Sequence, residues 1–247
     1  MPVRYKKKPY KKMVRGKPKR AAPVTLSAVT ALIKKTNLVQ SETKYISKNL
    51  TFAAMQHNKL FNAHIWSQGS TSALDSLPAQ GQSDSGRIGD RITILGFMLR
   101  AVFDIPADRR ETQIAIYFVP HNSGQGDPSV RTDLFHDITG STISDPIQTK
   151  RWPGLRKIGT FRIRQADNIH NNTSATLDSK NTKTIHIQRF IKFKTKCYFT
   201  KDDSIIPSNL KEYGTLILAP YATRNTLETD DVTLTGEVNV TTYFKDL

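Results

Sequence analysis

Cysteine is almost absent: Cys197 stands alone. A single thiol cannot form an internal bridge, which excludes a disulfide-dense secreted scaffold and makes a reducing environment the expectation. Acid is missing from the whole amino-terminal stretch, where the first Asp or Glu is Glu42. Long apolar runs are missing too. The best, Ile94 to Phe103, is broken by Gly96 and Arg100 and falls short of the roughly 18 residues a spanning helix needs, so no membrane insertion is expected. The histidines, at 57, 64, 121, 136, 170 and 186, never come closer than seven residues. Metal pairs typically sit two or four apart, so these read as structural or surface histidines, with no metal ligand among them.

Catalytic signatures are equally scarce. The nearest approach to a phosphate-binding loop, Gly154-Leu-Arg-Lys-Ile-Gly159-Thr160, puts threonine where the lysine must be, and it reads as loop punctuation. No Gly-x-Ser-x-Gly elbow occurs. We therefore expect no enzyme, no catalytic residue and no cofactor. The densest acidic group, Glu228, Asp230 and Asp231, reads as a solvated loop, with Ca²⁺ between subunits as the alternative. The Asn-x-Ser/Thr triplets at Asn49, Asn171, Asn172 and Asn239 are chance products of Asn/Thr-rich turns.

What the chain does have is base, unevenly spread. Formal charge is +16 over 247 residues, which points to a polyanionic partner. Ten Lys/Arg fall within residues 1 to 20, leaving 27 basic against 21 acidic residues, a net of +6, over the remainder. Such asymmetry describes a tail attached to an ordinary domain. With Pro2, Pro9, Pro18 and Pro23 in the same stretch and little apolar to bury, the tail is expected to be largely disordered over 1–40. Leu26, Val29, Leu32 and Ile33 carry helical spacing, so a short helix over 25–35 is expected inside it. A secretory signal is disfavoured because Lys34 and Lys35 follow the mild apolar run instead of a cleavage site. A mitochondrial presequence is disfavoured by the prolines.

From about residue 41 to 247 the periodicity is mostly two, and about eight β-runs emerge. Ile114, Ile116 and Phe118 share one strand face and Ala115, Tyr117 and Val119 the other, with Pro120 as the expected stop. Tyr213 to Ala219 is apolar on both faces, with Pro220 as its stop. Ile92, Ile94, Met98 and Val102 are expected on one face of a long strand, with Thr93, Leu95, Phe97 and Leu99 on the other. Further runs cover 43–54, 60–67, 157–165, 185–199 and 232–244, separated by long polar connections. Eight strands, long loops and little helix define the expected class: all-β, an eight-stranded antiparallel jelly-roll sandwich with a disordered basic arm.

Two places can meet nucleic acid. In the arm, Arg4, Lys6, Lys7, Lys8, Lys11, Lys12, Arg15, Lys17, Lys19 and Arg20 can neutralise phosphates, while Tyr5 and Tyr10 can stack on unpaired bases. Full engagement of single strands predicts a log–log salt slope on the order of −7. Lys6-Lys7-Lys8-Pro9-Tyr10-Lys11-Lys12 and Lys17-Pro18-Lys19-Arg20 also suit a nuclear-localisation signal read by host import factors. In 185–199, alternation puts Lys192, Lys194 and Lys196 with Phe190 and Tyr198 on one strand face. Arg162 and Arg164 do the same in another run. A plain solvated face and a genome-lining inner face both fit that pattern.

On these features the sequence resembles the capsid proteins of small circular Rep-encoding single-stranded DNA viruses, the circovirus-like group. The resemblance rests on the opening Met1-Pro-Val-Arg-Tyr-Lys-Lys-Lys-Pro-Tyr-Lys-Lys12, the run Gly86-Arg-Ile-Gly89-Asp-Arg-Ile-Thr-Ile-Leu-Gly-Phe97, the Lys/Phe-rich strand at 185–199 and a strand ending near the carboxyl terminus. It implies a jelly roll that self-assembles, at its simplest as about sixty copies in a T=1 icosahedral shell. Arms inside would package single-stranded DNA, with RNA left open. The virion and, during assembly, the host nucleus are the implied locations; a host surface receptor is implied without identity. The short, Lys-rich arm departs from the longer Arg-rich arms common in that group. From another class, a viral nuclear shuttle protein or a basic organellar ribosomal protein fits the same charge pattern.

Overall fold

The computed structural model describes residues 42–67, 74, 76–83, 85–105, 111–136, 141–142, 144–164, 183–200, 207–223 and 231–246. Upstream it describes 26–27, 29–30, 32–33 and 36. The arm residues 4 to 20, Arg164's side chain, Glu228 and Asp230 lie outside the described set. The chain divides into two compact units, Met1–Val39 and Gln40–Leu247. In the first, the described residues are helical, and Thr30 and Thr36 donate their hydroxyls to the Leu26 and Leu32 carbonyls at 2.8 and 3.0 Å. Among the described residues no helix is long and apolar enough to cross a membrane.

The second unit is built from eight antiparallel strands: β1 Thr43–Gln56, β2 Phe61–Ser67, β3 Arg91–Ile105, β4 Glu111–His121, β5 Arg156–Arg164, β6 Lys183–Tyr198, β7 Tyr213–Thr223 and β8 Val232–Asp246. They form two four-stranded sheets, ordered β1-β8-β3-β6 and β2-β7-β4-β5. The pairs β1·β8, β2·β7, β3·β6 and β4·β5 nest one inside the next. The chain is thus a ribbon doubled back between β4 and β5 and then rolled, with β3·β8 and β4·β7 closing the turns. This winding is the jelly roll.

Alternating apolar residues from both sheets meet between them. Trp66, Phe97, Phe118 and Phe193 form its centre, with ring centroids 5.4 to 6.0 Å apart. Trp66, Phe97 and Phe118 are fully buried and each contributes roughly 2–3 kcal/mol from removal of apolar surface, while Phe193 is partly buried against them. Gly214 lies against the Trp66 indole so closely that a Cβ there would sit 2.4 Å from Cε2. The strand can pass the ring only without a side chain.

Three details depart from simple alternation. Between Ile94 and Gly96 the register of β3 slips against both neighbours. Ile92 and Ile94 therefore face the core together with Phe97 and Leu99, whereas Met98 and Val102 turn outward. An extra residue at Leu95 reverses the phase, as a bulge must. Pro120 and Pro220 do not end their strands, which run on to His121 and Thr223. Both lie where the strand has lost one neighbour: the β5 pairing stops at Phe118 and the β2 pairing at Leu218. A missing N–H leaves no ladder bond unmade at such a position. Finally, β5 pairs with β4 and not with β6. Arg162 thus belongs to the other sheet, where it bonds the Glu111 carboxylate, and adds nothing to the lysine face.

The connection from β4 to β5 folds over the outer face of its own sheet. A single 3₁₀ turn, Ser123–Gln125, and the one-turn helix α1, Arg131–Leu134, lead into a segment that returns Leu134, Phe135 and Trp152 onto Leu60, Ala115, Tyr117, Val119, Ile217 and Ala219. The Trp152 indole N–H donates to the Asp133 carbonyl at 2.7 Å, and Gln148 Nε2 donates to the Phe135 carbonyl at 2.7 Å. These two polar groups of the cover are thereby satisfied locally while its apolar ones are buried.

Candidate nucleic-acid interface on the open sheet face

The β1-β8-β3-β6 sheet has no such cover among the described residues. Successive rows across its outer face, taken from the pairing register, run Thr43–Lys245–Thr93–Lys196, then Tyr45–Tyr243–Gly96–Lys192, then Ser47–Thr241–Met98–Phe190. Next come Asn49–Asn239–Arg100–Gln188 and Thr51–Glu237–Val102–His186. Lys192, Lys194 and Lys196 are all exposed, and Lys194 adopts φ +29° beside the register slip. Charge is sorted along the strands. Lys192, Lys194, Lys196 and Lys245 occupy one half, and Arg100, one row short of the acids, reaches back to the Thr241 hydroxyl at 3.2 Å. The acids Glu237 and Asp104 sit in the other, engaged by Asn49 at 2.7 Å and by Thr184.

Aromatic rings run between the cations. Tyr45 is 60 % exposed and Phe190 50 %, and each approaches Tyr243, with centroids 6.3 and 6.2 Å away. Tyr198, also exposed, lies under the Arg91 guanidinium at 5.8 Å. A Cβ at Gly96 would fall 2.6 Å from Phe190 Cζ, so the glycine lets this ring lie down on the sheet. Large apolar rings held at a surface among lysines carry a solvation cost that an unpaired base can remove by stacking, at about 1–3 kcal/mol per base.

A buried framework holds this half of the sheet. Arg87 is fully buried; its Nη1 donates to the Gly89 carbonyl at 2.8 Å, and its guanidinium stacks 3.9 Å from the Phe199 centroid. The Asp90 carbonyl accepts the Phe199 N–H at 2.9 Å. Thus the loop before β3 is clamped to the end of β6. Lys44 bridges Asp246 and the Gly86 carbonyl, both at 3.0 Å, adding β1 and β8. At its lysine end the free edge of β6 is engaged as well: Arg156 donates to the Lys192 carbonyl at 2.8 Å and Asn209 to that of Lys196 at 2.6 Å. Edge groups bonded in this way cannot template another strand.

Sequence alternation located the lysines, Phe190 and Tyr198. It missed Tyr45, Tyr243 and Arg100, which reach the same face only through long-range pairing, and it missed the role of Arg87. The histidines also differ from their spacing: His64 and His121, far apart in sequence, come together beside Asp127.

No family model matches the chain, and no curated protein matches it. Among solved structures, it is similar to that of Desmodium yellow mottle tymovirus at 14 % identity and a TM-score of 0.31, covering 83 % of this chain and 88 % of that one. It is similar to that of tomato aspermy virus at 10 % identity and 0.32, covering 90 % and 95 %. It is similar to a semi-empty virus-like particle of the giant freshwater prawn Macrobrachium rosenbergii nodavirus at 10 % identity and 0.32, covering 100 % and 95 %. Overlaps this loose transfer no individual residue.

Proposed function

We propose that the chain is a viral capsid protein that assembles with copies of itself into a small icosahedral shell and packages a single-stranded nucleic acid. The observation that carries this reading is the pairing of a jelly roll with an arm of ten basic residues before any acid. The arm, through Arg4 to Arg20 with Tyr5 and Tyr10, neutralises phosphate and stacks on bases. Lys192, Lys194 and Lys196, with Tyr45, Phe190 and Tyr198, form a second contact surface for the same ligand. Single-stranded DNA is the expected genome, on the resemblance to circovirus-like coats, with the two basic clusters of the arm also serving nuclear import.

Electron microscopy and sizing chromatography of the expressed chain are expected to show closed particles. Deleting residues 2 to 20 is expected to lower the 260/280 absorbance ratio of those particles and to leave the β-sheet circular dichroism unchanged, because the arm contributes charge and no core burial. Monomers or dimers alone, across salt and pH, would sink the shell reading in favour of a non-structural nucleic-acid-binding protein. An unchanged ratio would assign genome capture to the folded unit.

A further inference from the structure

We propose that His64, His121 and Asp127 bind one transition-metal ion of the zinc type, which fastens the start of the β4–β5 connection to the sheet beneath it. The three come from separate places. His64 lies on β2 opposite Thr215, and His121 ends β4 opposite Tyr213. Thr215 and Tyr213 are two apart on β7, so both imidazoles stand on the same outer face, flanking one strand. Asp127 arrives from the connection, immediately after Gly126 takes φ +73° and turns the chain back. One candidate ligand atom from each of the three residues lies within 4.8 Å of the others.

The distances leave space for an ion between the three side chains. Asp127 Oδ2 is 3.7 Å from His64 Nε2, and Oδ1 is 3.9 Å from His121 Nε2. Both exceed hydrogen-bond length, yet they approach the separation of about 3.4 Å between donors on a tetrahedral ion with bonds near 2.1 Å. The gap opens onto a cavity of about 270 Å³ lined by His64, His121, Ser123, Gly126, Asp127 and Tyr213, with room for an ion and a water in the fourth position.

A supporting shell is in place for His64 and Asp127. Thr215 Oγ1 lies 2.9 Å from His64 Nδ1 and 2.8 Å from His121 Nε2. Accepting the Nδ1–H of His64 leaves that ring's Nε2 lone pair for the ion, while His121 Nε2 exchanges its Thr215 contact for the metal. Asn62 Nδ2 donates to Asp127 Oδ2 at 2.6 Å, orienting the carboxylate. Tyr213 stacks on His121 at 5.1 Å, and Trp152 meets that ring edge-on at 5.7 Å. Two imidazoles and one carboxylate suit zinc-type ions and not the all-oxygen preference of Mg²⁺ or Ca²⁺.

The site is independent of genome packaging, so the test uses the full chain without a histidine tag, freed of nucleic acid and stripped with chelator. Titration with Co²⁺ is expected to give visible absorption of a low-symmetry site that saturates at one ion per chain. Zn²⁺ should displace it, and Mg²⁺ and Ca²⁺ should not. Zn²⁺ should also raise the melting temperature by several degrees. Asp127→Asn, at an exposed position, and His64→Gln should each weaken Zn²⁺ binding at least tenfold and abolish the thermal shift. Absence of saturable binding, binding undiminished in both variants, or Ca²⁺ binding as tight as that of Zn²⁺ would each overturn the assignment.

Discussion

The two sheets share a core but treat their outer faces in opposite ways. On the β2-β7-β4-β5 sheet, Ala115, Tyr117, Val119, Ile217 and Ala219 point outward and are buried under Leu134, Phe135 and Trp152. On the β1-β8-β3-β6 sheet, the outward residues are mostly charged side chains, hydroxyls, amides and half-exposed rings, with Met98 and Val102 among them. One face is closed by the chain's own connection, whereas the other meets no such cover among the described residues. In energetic terms the first belongs to folding, and the second carries the contact surface proposed above.

The comparison is broken most directly by removing one aromatic ring from each face. Trp152→Ala removes the largest side chain of the cover, which is 1 % exposed, and is expected to cost about 3–5 kcal/mol. Phe190→Ser, from a ring 50 % exposed, should cost less than about 1 kcal/mol. Urea unfolding of both variants decides the matter. Similar losses would mean that the open face is as much a part of the core as the covered one.

A second contrast appears at high pH. Tyr117, under the cover and edge-on to Phe135 with a centroid distance of 6.1 Å, has its phenol pushed up to about 12 by burial. The folded state therefore holds this proton more tightly than the unfolded chain, whose tyrosines titrate near 10. The resulting stabilisation is present below pH 10 and is lost as pH rises toward 12. Alkaline unfolding followed by circular dichroism should begin in that window, and Tyr117→Phe should move it upward. An unshifted onset in the variant would show that the cover opens before Tyr117 ionises.

The covered face was half legible. Apolar residues on both faces of 114–119 and 213–219 announced strands buried on two sides, but not that the second layer would come from the chain just downstream of β4. Leu134, Phe135 and Trp152 are too scattered to form a period. The open face was legible along one strand and opaque across strands: alternation marks Lys192, Lys194 and Lys196, while only register puts Tyr45 and Tyr243 beside Phe190. Register likewise carries the histidine pair, since His64 and His121 meet because each faces β7. The phase error in β3 has the same root. Alternation assumes an unbroken ladder, and the slip at Leu95–Gly96 is paid out in pairing partners and not in composition.

The smallest effect is the most telling about the open face. Replacing Lys192, Lys194 and Lys196 with Gln removes three charges from one half of the sheet and leaves the buried Ile187, Ile191 and Cys197 of β6 untouched, so the fold should hold. If the three lysines meet phosphate, the log–log salt slope for single strands should flatten by about 2, against about 7 for the arm as a whole. A shift of that size can also arise from general charge lost anywhere on the surface. Particle stability separates the two cases. Three like charges on one strand face repel one another unless anions lie close by, and packaged phosphate would supply them. The variant should therefore melt lower than wild type when filled, and equal or slightly higher when empty. Equal shifts in filled and empty particles would show that the lysines face solvent, and the aromatic row between them would then need another partner.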